Sequence, residues 1–106
     1  IALWIETDTG VVLGSDAIGE LGKTSENVGQ EAAEKLYTEI SARPTVDMHL
    51  SDLLIPYVAL AEGKSMFLTR TLSDHLKTNI WAVEKILQTR FNIEKINELY
   101  AVEKAG

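Results

Sequence analysis

Two histidines define the chemistry open to this sequence, because its 106 residues contain no cysteine and any covalent work must use another side chain. His75 follows Ser73-Asp74 at the head of an apolar-periodic stretch, so it takes the second position of a helix for which Ser73 is a natural N-cap. Backbone N–H groups at that position lack intrahelical partners, and the positive end of the helix dipole converges on them. The placement favours a neutral imidazole, the form that attacks phosphorus, and offers donors to a phosphate beside the ring. Asp74 opposes the first effect by favouring the cation. Thr78 and Asn79 lie three and four residues on, so all three side chains can face one site. The competing reading makes His75 a polar first-turn residue on a surface helix.

His49, Asp52 and Pro56 fall at i, i+3 and i+7 and share a helix face. A carboxylate beside an imidazole can hold a metal-bound phosphate, while the ring can stack on a base. The same pair is also commonplace on a solvated face, and two ligands without a third make a weak metal signature. Gly19-Glu20-Leu21-Gly22-Lys23-Thr24 ends like a phosphate loop, but Ala17 stands where the first glycine belongs and no strand precedes it. It is not a Walker motif. Trp4, Trp81 and the three tyrosines, interleaved with apolar stripes, are expected in or at the edge of the core.

The elements that must position these residues follow from periodicity. Leu3–Ile5 and Val11–Leu13 are β-prone runs around Asp8-Thr9-Gly10, which predicts a hairpin, with Gly14-Ser15-Asp16 and residues 19–23 as loop. Val28, Ala32, Leu36, Tyr37 and Ile40 predict a helix from Glu26 to Ser41, stopped before Pro44. A second helix is expected from Val46 to Ala61 with a buried stripe of Val46, Leu50, Leu53, Leu54, Tyr57 and Leu60; Pro56 inside it should kink it, at about 3 kcal/mol if nothing compensates. A strand over Ser65–Arg70, a helix from Asp74 to about Gln88 with stripe Leu76, Ile80, Val83 and Leu87, and a closing hairpin of Phe91–Ile96 and Leu99–Val102 complete the order β-β-α-α-β-α-β-β. That order predicts an α+β fold.

With 45% apolar and 25% charged residues the composition is that of a globular chain with a packed core. No apolar run approaches the roughly 20 residues that cross a bilayer, so a soluble, intracellular, cytoplasmic protein is expected. The opening on Ile1-Ala2-Leu3-Trp4-Ile5 reads as the interior of a longer chain. The net charge of −6 is uneven: residues 1–44 carry eight acidic and three basic side chains, residues 45–106 eight and seven. A phosphate backbone would avoid the first segment and tolerate the second, and the overall sign argues against nucleic-acid binding.

Three segments, Leu13–Lys23, Val46–Ala61 and His75-Leu76-Lys77-Thr78-Asn79-Ile80, resemble RNA 3'-terminal phosphate cyclases in order and spacing. The resemblance covers nearly the whole chain and about the last third of the family's usual length, so it implies a C-terminal piece. It implies that residues 1–44 close a small inserted α/β domain. Residues 45–106 would then form the C-terminal part of a catalytic domain built from units of two helices on a four-stranded sheet. It implies that His75 becomes AMP-linked, that Met48, His49, Leu50, Ser51 and Asp52 border the ATP site with His49 on the adenine and Asp52 near a divalent cation (Mg²⁺ or Mn²⁺), and that Thr78 and Asn79 join the nucleotide site. The implied reaction closes an RNA 3'-phosphate into a 2',3'-cyclic phosphate at the expense of ATP. Partners would be ATP, the RNA end, the cyclase chain upstream of Ile1 and a second copy of the protein. The family's usual Gln after the acid is replaced by Leu53, and the arginines and glutamine that the family uses from its N-terminal portion are absent, which implies that these 106 residues alone are inactive.

Two rival readings remain. One is a non-catalytic cyclase-like protein acting as an interaction module in ribosome biogenesis, against which the presence of His75 counts. The other is a binding or structural module, which would take no label from ATP.

Overall fold

In the computed structural model, which describes residues 1–106, the chain forms the eight expected elements in the expected order. β1 (Ala2–Glu6) and β2 (Val12–Asp16) pair antiparallel, Leu3 opposite Ser15 and Glu6 opposite Val12. Thr7 closes the reversal: its N–H donates to the Val11 carbonyl at 2.8 Å and its hydroxyl accepts from the Val11 N–H at 3.1 Å. Gly10 takes the left-handed φ of +88° that the turn needs. Gly14, Ser15 and Asp16 belong to β2 rather than to a loop. Their weak strand preference is overridden by pairing with Ala2–Trp4 and by a 2.7 Å bond from the Ser15 hydroxyl to the Ala32 carbonyl.

α1 (Ser25–Ala42) is capped by Thr24, whose side chain accepts from the Asn27 N–H, and ends at Arg43 with φ 57°, just ahead of Pro44. The Gly-Lys-Thr look-alike is therefore a loop and a helix cap. Lys23 is engaged by Glu31, and their hydrogen bond raises the lysine pKa and lowers that of the carboxylate.

α2 (Met48–Leu60) begins two residues later than its apolar pattern suggests, because Asp47 is its N-cap. One Asp47 oxygen accepts from the Leu50 N–H and the other from the Gly14 N–H, both at 2.9 Å, so a single carboxylate starts α2 and ties it to β2. Val46 stays outside the helix, buried in the core, with its N–H on the Leu68 carbonyl. The buried face of α2 is Ser51, Ile55 and Ala59 with Leu54 and Val58 beside it; of the expected stripe, Val46 and Leu54 pack with the core while Leu50, Leu53, Tyr57 and Leu60 are exposed. Leu53, Tyr57 and Leu60 are 66%, 73% and 69% exposed. This helix is apolar almost all round, so periodicity alone could not say which face packs.

β3 (Ser65–Thr69), α3 (Asp74–Leu87), β4 (Phe91–Ile96) and β5 (Leu99–Lys104) complete the chain. The second sheet is antiparallel throughout in the order β3-β5-β4 and thus has three strands. Phe67 and Ile93 both lie opposite Val102, and Asn97, at φ 57°, carries the tight β4–β5 turn. Val46, Ile55, Phe67, Leu76, Ile80 and Val102 form the core between this sheet and α2 and α3. Trp4, Trp81, Tyr37 and Tyr57 lie outside it at 61% to 73% exposure, contrary to the expectation for the aromatics. Each sits off the packed face of its element, and only Tyr100 is half-buried.

Pro56 is tolerated for a specific reason. A proline lacks the N–H that would bond the carbonyl four residues back, which is Asp52. The Asn79 side-chain amide donates to that carbonyl at 2.9 Å instead, from the neighbouring helix. A second link joins the two halves of the chain: Arg70, just past β3, places its Nε 2.6 Å from a carboxylate oxygen of Glu39 on α1. Glu39 is 3% exposed and its other oxygen has no partner.

Both links make predictions for urea unfolding of the protein carrying this segment. Asn79→Ala should cost about 1 to 2 kcal/mol with Pro56 in place, and close to nothing in a Pro56→Ala background, where a backbone N–H takes over. Equal losses in both backgrounds would reject the substitution of one donor for the other. Arg70→Ala should cost about 3 kcal/mol by stranding a buried carboxylate, whereas the pair Arg70→Met with Glu39→Leu should recover most of it.

Candidate functional site

The head of α3 is built by Ser73. Its hydroxyl accepts from the Leu76 N–H at 3.0 Å, and its carbonyl accepts from the Lys77 N–H at 3.1 Å. The N–H groups of Asp74 and His75 precede the first helical bond and are the two left for an outside acceptor. His75, the second residue of the helix, is exposed. An imidazole thus stands beside two free backbone donors at the positive end of a 14-residue helix, an arrangement suited to holding an anionic group next to the ring.

Asp52 grips this helix from the facing one. The Ser73 hydroxyl donates to Asp52 Oδ1 at 2.6 Å while Asn79 donates to the Asp52 carbonyl at 2.9 Å. One residue of α2 therefore meets α3 on either side of His75 in sequence, which sets how α2 and α3 are aligned at the end that carries the imidazole. Asn79 is half-buried and committed to this contact; Thr78, one turn beyond His75, is exposed. Asp52 thus meets the cap of the helix that carries His75, two positions before the histidine.

His49 looks elsewhere. It is exposed, with Nε2 3.9 Å from Asp16 Oδ1 on β2, and it borders a cavity of about 180 Å³ together with Met48, Ser15, Lys35, Glu39 and Arg70. Met48 is half-buried, Leu50 and Leu53 are exposed, and Ser51 is buried with its hydroxyl on the Met48 carbonyl at 2.7 Å. His49 and Asp52, one turn apart, therefore address two different neighbours: β2 for the ring and the α3 cap for the carboxylate. No group of three or more metal-ligating side chains forms. Arg70 and Glu39 were not singled out in the sequence, although Glu39 stands seven residues after buried Ala32, on the packed face of α1 where an ionised residue demands a partner.

A family model for RNA 3'-terminal phosphate cyclase matches residues 13–93. The RNA 3'-terminal phosphate cyclase of Pyrobaculum neutrophilum is 43% identical over 106 residues, covering 100% of this chain and 30% of that protein. That of Caldivirga maquilingensis is 46% identical over 97 residues (92% of this chain, 27% of the relative), and that of Methanopyrus kandleri 43% over 93 (88% and 26%). The chain spans less than a third of the length of these relatives. The resemblance first drawn from three short segments thus extends over the fold, and the chain belongs to the RNA 3'-terminal phosphate cyclase family.

Proposed function

We propose that these residues work as the closing portion of an enzyme, acting in the cytoplasm, that converts an RNA 3'-terminal phosphate into a 2',3'-cyclic phosphate using ATP. Residues 1–44 would end an inserted domain and residues 45–106 a catalytic one. The observation that carries the reading is the exposed His75 beside two unclaimed backbone N–H groups, at a helix head gripped by Asp52. In the first step a neutral His75 nitrogen attacks the α-phosphorus of ATP and diphosphate leaves, the N–H groups of Asp74 and His75 holding phosphate oxygens. In the second, an oxygen of the RNA 3'-phosphate takes AMP from the ring. In the third, the neighbouring 2'-hydroxyl attacks the 3'-phosphorus, loses its proton and expels AMP. Activation with AMP supplies the leaving group that a bare phosphate lacks.

A divalent cation fits one feature of the site: Asp52 is a fixed single carboxylate near the phosphate position, the kind of ligand Mg²⁺ uses when substrate phosphates and water supply the rest. When bound, such an ion would offset phosphate charge. The His49 ring, exposed beside a cavity one turn away, suits stacking on the adenine.

In the full-length enzyme His75→Ala should abolish covalent labelling by radioactive ATP, because His75 is the residue that takes AMP in this reading; undiminished label would move the nucleophile elsewhere. The 106 residues alone should label poorly, as most of the enzyme is absent from them. Two further variants should separate. His49→Ala is expected to weaken ATP binding by about 1 to 3 kcal/mol, the scale of one lost base stack. Asp52→Asn should instead lower turnover and shift its metal dependence, read from rates across a Mg²⁺ series. Identical effects from both would reduce α2 to a structural wall.

A further inference from the structure

The exposed side of α3 carries a row that the adenylylation chemistry leaves unused. Lys77, Trp81 and Lys85 are spaced four residues apart and so lie one above another on the helix surface. Trp81 is 61% exposed, an unusual placement for so large a ring. Below it opens a cavity of about 390 Å³ lined by Trp81, Glu84, Lys85, Gln88, Thr89 and Arg90. The charge there is free. Lys77, Lys85 and Arg90 take part in none of the ion pairs of the chain. The acid of that cavity, Glu84, is tied to backbone, its Oε2 accepting from the Phe91 N–H at 3.0 Å. Asp74 stands at the head of the row, and the Thr89 hydroxyl is buried without a hydrogen-bond partner.

An exposed aromatic ring flanked by unpaired cations is the arrangement that holds a single nucleic-acid strand, bases stacking on the ring and phosphates meeting the cations. At about 1.5 Å per residue, Trp81 lies about 9 Å along the helix from His75 and Lys85 about 15 Å, and at about 100° per residue the row stands round the helix from the ring, so the last few nucleotides would bend over the head of α3 to reach it. In a chain of net charge −6, three free cations on one helix and the turn after it form a local exception that an anionic strand would find.

We propose that Lys77, Trp81 and Lys85, continued by Arg90, are the track on which single-stranded RNA lies as its 3'-phosphate reaches His75. The proposal rests on the cyclase reading, and it assigns the RNA a surface on this chain without assigning it a sequence. Trp81 stacks on a base, and the three cations take backbone phosphates.

The test exploits the order of the steps, because labelling of the enzyme by ATP needs no RNA and transfer to RNA does. Full-length enzyme, Trp81→Ala, Trp81→Phe and the pair Lys85→Gln with Arg90→Gln are first labelled with radioactive ATP. They are then given an oligoribonucleotide ending in a 3'-phosphate at several NaCl concentrations. Labelling should stay within about twofold of the parent. The KM for RNA should rise about 10- to 100-fold in Trp81→Ala and recover largely in Trp81→Phe. In the paired variant the slope of log KM against log salt should fall by about 1.4, two phosphate contacts at roughly 0.7 each. An unchanged KM and slope overturns the track. So does loss of labelling together with transfer, which would show that the rest of the enzyme packs over this face. If Trp81→Ala fails to fold, the paired variant, altered only in free surface cations, decides through its salt slope. A parent enzyme that takes no label sinks the cyclase reading itself, whereas normal labelling with unaltered RNA dependence sinks the track alone.

Discussion

The geometry around His75 depends on Asp52, which meets α3 with both its side chain and its main chain. Its carboxylate holds the hydroxyl that caps the helix, and its carbonyl takes the amide that Pro56 obliges a neighbour to provide. Remove the first contact and the first turn of α3 loses its alignment to α2; remove the second and a carbonyl goes unpaired next to the same turn. A proline in mid-helix thus serves as a reason for two helices to stay in register. The imidazole inherits that register, because only Asp74 stands between it and the capping serine. In the proposed chemistry, a ring on a helix head fixed this way would need little reorganisation when a phosphate arrives.

Asp47 does the corresponding work one turn earlier, sharing its two oxygens between the start of α2 and the Gly14 N–H on β2. With the Arg70 and Glu39 pair it fastens the hairpin unit to the larger sheet at the side where His49 opens. The two fastenings differ in physical kind. Asp47 is a hydrogen-bonded acceptor at partial exposure, whereas the Glu39 carboxylate is buried with one partner and one idle oxygen. Charge is sorted along the same division, acidic on α1 and free basic side chains on the outer row of α3.

Much of this was legible in the sequence where local rules dominate. The Ser73 cap, the amphipathic α3, the Gly10 turn and the order of all eight elements follow from spacing and capping alone. The buried face of α2 did not, since Leu50, Leu53, Tyr57 and Leu60 are as apolar as Ile55 and Val58, and only the position of the sheet decides among them. The strand character of Gly14 to Asp16 was hidden because it comes from partners rather than propensity. Asn79 could be read as facing a site with His75, yet its tie to the carbonyl orphaned by Pro56 joins residues on two helices, and nothing in local periodicity announces it. The exposed Trp81 was misassigned for the opposite reason: one ring beside Ile80 looks like core until the helix is set on its sheet.

The middle strand of the larger sheet is β5, the last of the five strands in sequence. β3 and β4 flank it and have no bonds to each other, so β3 waits through α3 and β4 before its partner exists. Lys104, the final residue of β5, also donates from its side chain to the Ala61 carbonyl at the end of α2. As the chain emerges from the ribosome, neither this sheet nor that helix end can be completed until Lys104 is out. The hairpin of β1 and β2 can form long before. A ribosome stalled before β5 would leave β3 and β4 without the strand that joins them, and the core between α2 and α3 without Val102.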